Sequence, residues 1–332
     1  MFRRLLRWMA ILVGLAVVYS CLALTTFRWL SDQRESLTGA EAAPKTGHFV
    51  RASDVDVFIQ EAGPSDGPTV LFVHGTGAWS ETWRESLVAL GNAGFHAIAM
   101  DLPPFGYSQR PSNGDYGKVS QGKRILGVLE SLGTDRVVLV GHSFGGGPTM
   151  EAAFLQQDRF RALVLVDVAL GLTKESGAME RNGLLQALLS TPSLRDALVA
   201  SFLTNPLFTK RLLGSFLADA SMATDARVRI YQQPLVVKGT TQAAGEWLPE
   251  LIAFSERTAS NNPASYAALK MPVLVLWGGK DTITPLPQGQ ELASITPGAK
   301  LLVMENVGHI PQVEDNALFN NHLLNFLAMQ AQ

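Results

Sequence analysis

Ser143 is the residue whose surroundings most clearly indicate chemistry. It stands at the centre of a GxSxG pattern, Gly141–Gly145 (GHSFG), which follows the apolar run RVVLV and precedes a helical pattern. A serine at a sharp strand-to-helix turn presents its hydroxyl above the sheet, and glycines two positions away on each side avoid steric clash. The N-terminus of the following helix favours developing negative charge. The pattern predicts a nucleophilic serine for acyl transfer.

A base and an acid for this serine lie downstream. His309 stands in NVGHIP, after the apolar run KLLVM, and Asp281 stands in GGKDTITP, after PVLVLW. An attacking serine needs a general base, and an imidazole base needs a carboxylate that holds it in the correct tautomer. Asp167, at the end of the run ALVLV, is a second carboxylate at a strand end. The residues alone leave both acids open.

Two upstream segments complete a resemblance to a known family. HGTG (74–77) follows the run TVLFV, and DLPPFGYS (101–108) follows FHAIAM. Together with the three downstream segments, residues 49–330 resemble the α/β-hydrolases, in which the order along the chain is serine, acid, histidine. The second segment departs from the family pattern DLPGFGxS at Pro104, where glycine is commoner. We interpret Asp101 as a structural acceptor of turn amides.

The resemblance implies a role for each of these residues. The nucleophile, the base and the orienting acid are Ser143, His309 and Asp281. Asp281 is preferred to Asp167 because its loop closely matches the loop that usually carries the acid. The backbone N–H groups of Thr76 and Phe144 are the expected oxyanion hole. The implied chemistry proceeds through an acyl-enzyme and needs no cofactor.

Several activities are compatible with this set of residues. Serine at the nucleophile position argues against haloalkane dehalogenase and epoxide hydrolase chemistry, since those relatives use aspartate there. Carboxylesterase or lipase activity, hydrolysis of a carbon–carbon bond in ring-cleavage products, and perhydrolase activity remain open. A membrane-anchored binding protein that kept the fold without catalysis is a further alternative, because fold alone never proves function. We expect a serine hydrolase, resembling carboxylesterases, that acts on a small, lipophilic acyl substrate.

The elements that must position these residues alternate between strands and helices. Short apolar runs are typical of central parallel strands, and VDVFI alternates like a strand with one buried face. Helical patterns at about 81–91, 118–132, 145–157, 287–294 and 314–328 separate them. The alternation predicts an α/β fold, a mostly parallel sheet with helices on both faces. Residues 171–250 contain helical patterns without a convincing strand, which predicts a helical cap over one edge of a hydrolase domain at 48–332.

The N-terminal residues 1–30 have a different character. Three arginines precede an uncharged, mostly apolar run from Trp8 to Phe27, about the length that a helix needs to cross a membrane. The excess of arginines before this run favours a cytoplasmic N-terminus and a catalytic domain outside the cytoplasm. A cleaved signal peptide, a lipoprotein signal ending at Cys21 and a buried helix of a soluble protein are the alternatives. We expect a single-pass anchor, followed by a linker or ordered lead-in at 31–47.

The composition excludes several classes of protein. The chain has 332 residues, of which 47% are hydrophobic, and a formal net charge of -2, so neither disorder nor nucleic-acid binding is expected. A single cysteine excludes an intrachain disulfide framework. The sequence has no HExxH pair and no cluster of histidines and carboxylates at metal-ligand spacing, so we expect no metal. The expected partners are a small-molecule substrate and a membrane.

Overall fold

A mixed eight-stranded sheet forms the centre of the protein. The computed structural model describes residues 2–172, 183–252 and 258–330. The strand order is β1-β2-β4-β3-β5-β6-β7-β8, and β2 runs antiparallel to both of its neighbours while the other pairs are parallel. The strands are β1 Gly47–Ala52, β2 Val55–Ala62, β3 Thr69–Val73, β4 His96–Met100, β5 Val137–His142, β6 Phe160–Val166, β7 Val273–Gly278 and β8 Lys300–Met304.

Helices cover both faces of this sheet. Alternate side chains of a strand point to opposite faces, so Leu71 and Val73 of β3 join one apolar core while Val70 and Phe72 join the other. The helices that flank the sheet are α3 Arg84–Asn92, α4 Lys118–Ser131, α5 Gly146–Leu155, α11 Leu286–Ile295, α12 Pro311–Glu314 and α13 Asn316–Gln330. The first core includes side chains from α4 and α5, and the second includes side chains from α3 and α13. The predicted α/β architecture is confirmed.

A group of helices lies between β6 and β7. These are α6 Gly183–Ser190, α7 Pro192–Ser201, α8 Pro206–Phe216, α9 Asp225–Gln232 and α10 Thr240–Ile252. Where this stretch is described, it contains no strand beyond an isolated bridge between Val237 and Leu37. The helical insertion is thus present, although residues 173–182 of the predicted cap lie outside the described residues and α10 continues two residues past the expected end at 250. We call α6–α10 and their connections the cap.

The N-terminal helix α1, Phe2–Arg34, stands apart from the cores. In the described part of the chain it is the one helix long and apolar enough to cross a membrane, with a mean hydropathy of 2.2 over its most apolar 18 residues, none of them buried. By length and composition, it could be a membrane anchor or a signal sequence. It continues four residues past the boundary expected at residue 30.

The last residue of α1 and the residues that follow it dock on the cap. Arg34 Nε donates to Leu235 O at 3.0 Å, and the Glu35 carboxylate accepts the N–H and the hydroxyl of Thr241. Leu37 N donates to Val236 O, and Lys238 N donates to Leu37 O. A short helix, α2 Gly39–Ala42, follows within the segment expected to be a linker. The helix α1 also packs against α7 of the cap.

Candidate active site

Ser143 lies in a turn that few residues tolerate. It directly follows β5 and begins a 3-10 turn, Ser143–Gly145, that leads into α5. Its φ is +51°, a left-handed conformation that is uncommon outside glycine. A Cβ on Gly141 would lie 2.4 Å from Thr149 Oγ1, and one on Gly145 would lie 2.4 Å from His74 O. Neither position has room for a side chain, so both glycines of the GxSxG pattern are required.

The structure brings Ser143, His309 and Asp281 into one hydrogen-bonded series. His309 Nε2 is 2.8 Å from Ser143 Oγ, and His309 Nδ1 is 2.7 Å from Asp281 Oδ2. All three side chains are buried. The loops after β5, β7 and β8 supply one residue each, and because these strands are parallel, the three loops meet at the same edge of the sheet.

The loop after β7 holds the Asp281 carboxylate in place. Oδ1 accepts the backbone N–H groups of Ile283 and Thr284 at 2.7 and 3.0 Å, and Oδ2 accepts the Thr284 hydroxyl at 2.6 Å. Burial raises the pKa of Asp281, but the hydrogen bond and the charge of His309 outweigh it, so the pKa lies below its ordinary value. Asp281 is therefore a fixed anion at neutral pH.

Asp167, the alternative acid, occupies a different place. It is fully buried at the end of β6 with a φ of +43°, and its Oδ1 accepts Gly278 N at 2.8 Å. Its Oδ2 is buried, and the side chain lies beside the Asp281 carboxylate. Burial, followed by the charge of Asp281, raises its pKa well above the ordinary value. The neutral form of Asp167 is thus favoured beside Asp281, and the imidazole of His309 bonds to Asp281 instead.

The segment HGTG passes directly beside the serine. A Cβ on Gly75 would lie 2.6 Å from Ser143 Cβ, so only glycine allows this close approach. Thr76 lines the same cavity as Ser143. Among the loop backbone hydrogen bonds of the described residues, none uses the Thr76 N–H. The Phe144 N–H belongs to the first turn of a helix, where amides lack helical acceptors. Both amides predicted for the oxyanion hole therefore lie in the backbone next to Ser143.

His74 and Asp101 hold neighbouring loops. His74 Nδ1 donates to Gly75 O and its Nε2 accepts Leu102 N, both at 2.8 Å, so the ring is a neutral tautomer. Burial lowers its pKa to about 4. The Asp101 carboxylate accepts Ser80 N and Tyr107 N, each at 2.7 Å, and burial raises its pKa to about 6. Asp101 accepts amides of the two loops, as the sequence suggested.

Other residues near His309 were not recognised from the sequence. His142 Nε2 donates to His309 O at 2.7 Å, and burial, followed by the nearby His309, lowers the His142 pKa to about 3. Thr284 is signalled only by its place three residues after Asp281, a spacing typical of local turns. The cap residue Phe216 accepts His309 N through its carbonyl at 2.8 Å and packs its ring against the imidazole. No sequence pattern indicates that contact.

Glu314 also joins the cap to the histidine loop. Its carboxylate accepts Gly308 N at 2.9 Å and Ala218 N at 2.7 Å, which places it between the two loops. The backbone of the candidate base is thereby fixed from two sides.

Two adjoining cavities open between the sheet and the cap. The inner one, of about 600 Å³ including its opening, is bounded by Ser143 and His309 and has mostly apolar walls. The second, of about 660 Å³ including its opening, extends below the cap. They share four lining residues, Thr76, Ala78, Phe216 and Tyr231. In the part of the chain that the structure describes, no group of three or more His, Cys, Asp or Glu side chains is placed to hold a metal ion.

Three features define the class of α/β hydrolases. They are the order of the strands, the left-handed turn at the serine, and the position of the acid and histidine loops at one edge of the sheet. The sequence profile of that fold family matches residues 68–316, so the chain belongs to the α/β-hydrolase fold family. It is 28% identical over 293 residues to the 2-hydroxymuconate semialdehyde hydrolase of Pseudomonas putida, a match that covers 88% of this chain and 98% of that relative.

Solved structures share the fold. A meta-cleavage product hydrolase from Pseudomonas fluorescens IP01 is 24% identical, with a TM-score of 0.70 over 86% of this chain and 98% of the other. A bacterial membrane phospholipase A is 22% identical, with a TM-score of 0.68 over 100% of both chains. The second likeness therefore extends over the N-terminal helix as well as the hydrolase domain.

Proposed function

We propose that this member of the hydrolase family cleaves an ester or related acyl bond of a small, lipophilic substrate through an acyl-enzyme. The observation that carries the proposal is the series of two short hydrogen bonds from Ser143 to His309 and from His309 to Asp281. A nucleophile and a base within about 2.6–3.2 Å, with the base oriented by a third group, is the arrangement that activates a serine.

The proposed reaction follows from these contacts. His309 Nε2 accepts the Ser143 proton as Oγ attacks the carbonyl carbon, and Asp281 holds the Nδ1–H and stabilises the imidazolium. The Thr76 and Phe144 amides bind the oxyanion, and removing one such donor typically costs about 3 kcal/mol of transition-state stabilisation. His309 returns the proton to the leaving group, and then activates the water that releases the acyl group.

The walls of the cavity support a lipophilic acyl group. Besides Ser143, the two histidines, two threonines and Tyr231, the inner cavity is lined by apolar residues such as Ala169, Leu251 and Ile283. Burying apolar surface contributes about 25 cal/mol per Å², so an acyl chain gains affinity with each methylene that it places there.

Labelling with a fluorophosphonate tests the proposed nucleophile. We expect one covalent adduct on the full chain in detergent, found on the peptide that contains Ser143, and none on Ser143→Ala. A melting temperature close to the wild-type value shows that the variant is folded. Labelling of the variant at another serine would refute the assignment. No label on either protein, together with no hydrolysis of esters, would favour a binding protein with this fold.

Hydrolysis of a carbon–carbon bond is the second candidate. It is favoured by two relatives, each 28% identical to this chain, that are 2-hydroxymuconate semialdehyde hydrolases. The same serine, base and oxyanion hole serve both reactions, so the identity of the bond depends on how the cavity orients the substrate.

A comparison of two substrate classes separates the candidates. A series of p-nitrophenyl esters and a set of vinylogous diketone acids are offered to the wild type and to Ser143→Ala, and kcat/KM is measured for each. Ester cleavage with no diketone cleavage is the expected result. Faster cleavage of the diketones would transfer the proposal to the second candidate.

We also propose that α1 anchors the protein with its catalytic domain outside the cytoplasm. The unburied apolar surface of α1 and the three arginines before it support the anchor and its orientation. The mass of the mature protein and its partition after alkaline washing of membranes test the anchor. A mature chain that begins after residue 20, or release of the whole protein by the wash, would contradict it. Fusions of a periplasmic reporter after residue 34 test the orientation.

A further inference from the structure

Arg110 is the one charged side chain among the described residues that line the second cavity. It follows the loop DLPPFGYSQ, and among the described arginines and lysines it alone borders both this cavity and a polar pocket between residues 110–116 and the cap. Around it, the second cavity has apolar walls from Leu203, Leu213 and Leu235. A guanidinium in such surroundings needs a compensating partner.

The contacts of Arg110 leave its charge without a carboxylate. Its two NH groups donate to the carbonyl oxygens of Gly106 and Ser108 and to the Thr240 hydroxyl. Its buried Nε–H has no acceptor. Within the described ranges, no carboxylate oxygen lies within 4.0 Å of its guanidinium to form an ion pair.

Two acids whose charges act on Arg110 are hydrogen-bonded elsewhere. Asp101 bonds the amides of Ser80 and Tyr107, and Glu35 bonds Thr241. Burial lowers the pKa of Arg110 to about 10, a direction that reflects the unfavourable desolvation of its cation. At neutral pH the group therefore remains charged in a place where neutral carbonyls and a hydroxyl are its partners.

The position of Arg110 relates it to the candidate nucleophile. The cavity that it borders adjoins the one that contains Ser143, and their common wall is formed by Thr76, Ala78, Phe216 and Tyr231. For a substrate whose carbonyl lies at Ser143 to reach the guanidinium, its acyl segment would have to pass these four residues. Such a substrate would be amphiphilic, with an acyl segment between the cleaved bond and an anionic group.

We propose that Arg110 binds an anionic group of the substrate, a carboxylate or a phosphate, at the far end of the cavity from Ser143. The inference rests on the proposed function, because it assigns specificity to the same site. Arginine suits this role, since its guanidinium stays charged even where it is partly desolvated. Because its NH groups already donate to two carbonyls and to Thr240, the substrate anion would be held by the charge of the guanidinium, or would replace the Thr240 hydroxyl as an acceptor.

A pair of neutral and anionic substrates tests the proposal. The wild-type chain in detergent is given p-nitrophenyl monoesters of dicarboxylic acids of increasing length, and the matching ω-carboxamides, which have the same shape without the charge. We expect a preference for the carboxylate at one range of lengths. In Arg110→Gln that preference falls about tenfold or more through KM, as expected for a lost charge-assisted hydrogen bond. Hydrolysis of the carboxamides stays within a factor of two or so.

A matched variant separates binding from loop support. Thr240→Val removes one acceptor of Arg110 but keeps the cation, and we expect it to retain the preference for the carboxylate. If Arg110 only supports the loop, Arg110→Gln lowers the kcat/KM for both substrates by the same factor, and the proposal fails. It also fails if the wild type shows no preference at any length. If the wild type hydrolyses neither substrate and takes up no fluorophosphonate, the proposed function itself has failed.

Competition identifies the anion. Adipate and inorganic phosphate are added separately to assays with the carboxamide substrate, and inhibition is compared in the wild type and in Arg110→Gln. Inhibition by adipate that the substitution abolishes indicates a substrate carboxylate, as in ring-cleavage acids. Inhibition by phosphate that it abolishes indicates a phosphate ester, as in a lipid headgroup. Inhibition that is the same in both proteins overturns the proposal.

Discussion

At the scale of single residues, the pKa values of the two buried aspartates are shifted in opposite directions. Asp281 accepts two amides and a hydroxyl and bonds to the imidazole, while Asp167 accepts one amide and lies beside the Asp281 carboxylate. Two carboxylates this near to each other do not both ionise readily, and the neutral form is favoured at the one with fewer donors. The environment thus assigns different tasks to residues of the same type.

The substitution of each aspartate by asparagine should therefore have unequal effects. Asp281→Asn leaves the fold intact but removes the anion and the correct tautomer, so we expect kcat to fall by about 10⁴. Asp167→Asn keeps an oxygen for Gly278 N and an N–H that can point to Asp281, so kcat should change by a factor of only a few. Steady-state kinetics with one ester measures both. A larger loss in Asp167→Asn than in Asp281→Asn would make Asp167 the acid.

At the scale of elements, the cap and the histidine loop form one hydrogen-bonded unit. The Phe216 carbonyl accepts His309 N, and the Glu314 carboxylate bridges Gly308 N and Ala218 N. Hydrogen bonds to a charged acceptor contribute about 1.5–3 kcal/mol, more than neutral ones. A change in the position of the cap should consequently change the orientation of His309, the candidate base.

Removal of the Glu314 carboxylate tests this coupling. In Glu314→Ala we expect kcat to fall about tenfold while KM changes less, because the base loses its orientation rather than its contact with substrate. Glu314→Gln keeps one acceptor oxygen and should be intermediate. Asp225→Ala, which removes an exposed cap carboxylate bound to Lys210, is the matched control. A lower melting temperature with unchanged kcat would show that Glu314 stabilises the cap without orienting His309.

The sequence predicted the elements with the strongest local signals. The runs TVLFV and ALVLV are buried on both faces, so their composition alone indicates central strands. The strand β1, GHFVRA, was missed because it is an edge strand, only partly buried and without a clear alternation, and it forms by pairing with β2. Turn motifs placed Ser143, Asp281 and His309 at strand ends. The contact between Glu314 and Ala218 joins residues 96 positions apart, a distance over which no local pattern operates.

At the scale of the whole molecule, the last residue of the N-terminal helix and the three residues after it are hydrogen-bonded to the cap. Residues 34–37 bond Leu235–Lys238 and Thr241, and Leu235 lines the second cavity. A chain that begins at residue 31 keeps these contacts, while a chain that begins at residue 39 loses them. We therefore expect the shorter chain to have a lower melting temperature and faster proteolysis within the cap.

Limited proteolysis with mass spectrometry measures that difference. The first cuts in the shorter chain should fall between 183 and 252, with the sheet left intact. Glu35→Gln in the longer chain weakens the carboxylate contact with Thr241 and should produce a smaller effect in the same direction. Equal cleavage of the two truncated chains would show that the cap holds its position without residues 34–37.

The unbroken helix from Phe2 to Arg34 has a consequence for how substrate is found. Phe27 ends the apolar run, and seven residues at about 1.5 Å each put Arg34 and the cap only about 10 Å beyond it. With α1 in a bilayer, this continuous helix would hold the cavity at a fixed distance from the lipid headgroups. A flexible linker would allow that distance to vary. The enzyme would then search in two dimensions, and its rate would follow the mole fraction of substrate in the leaflet rather than the bulk concentration.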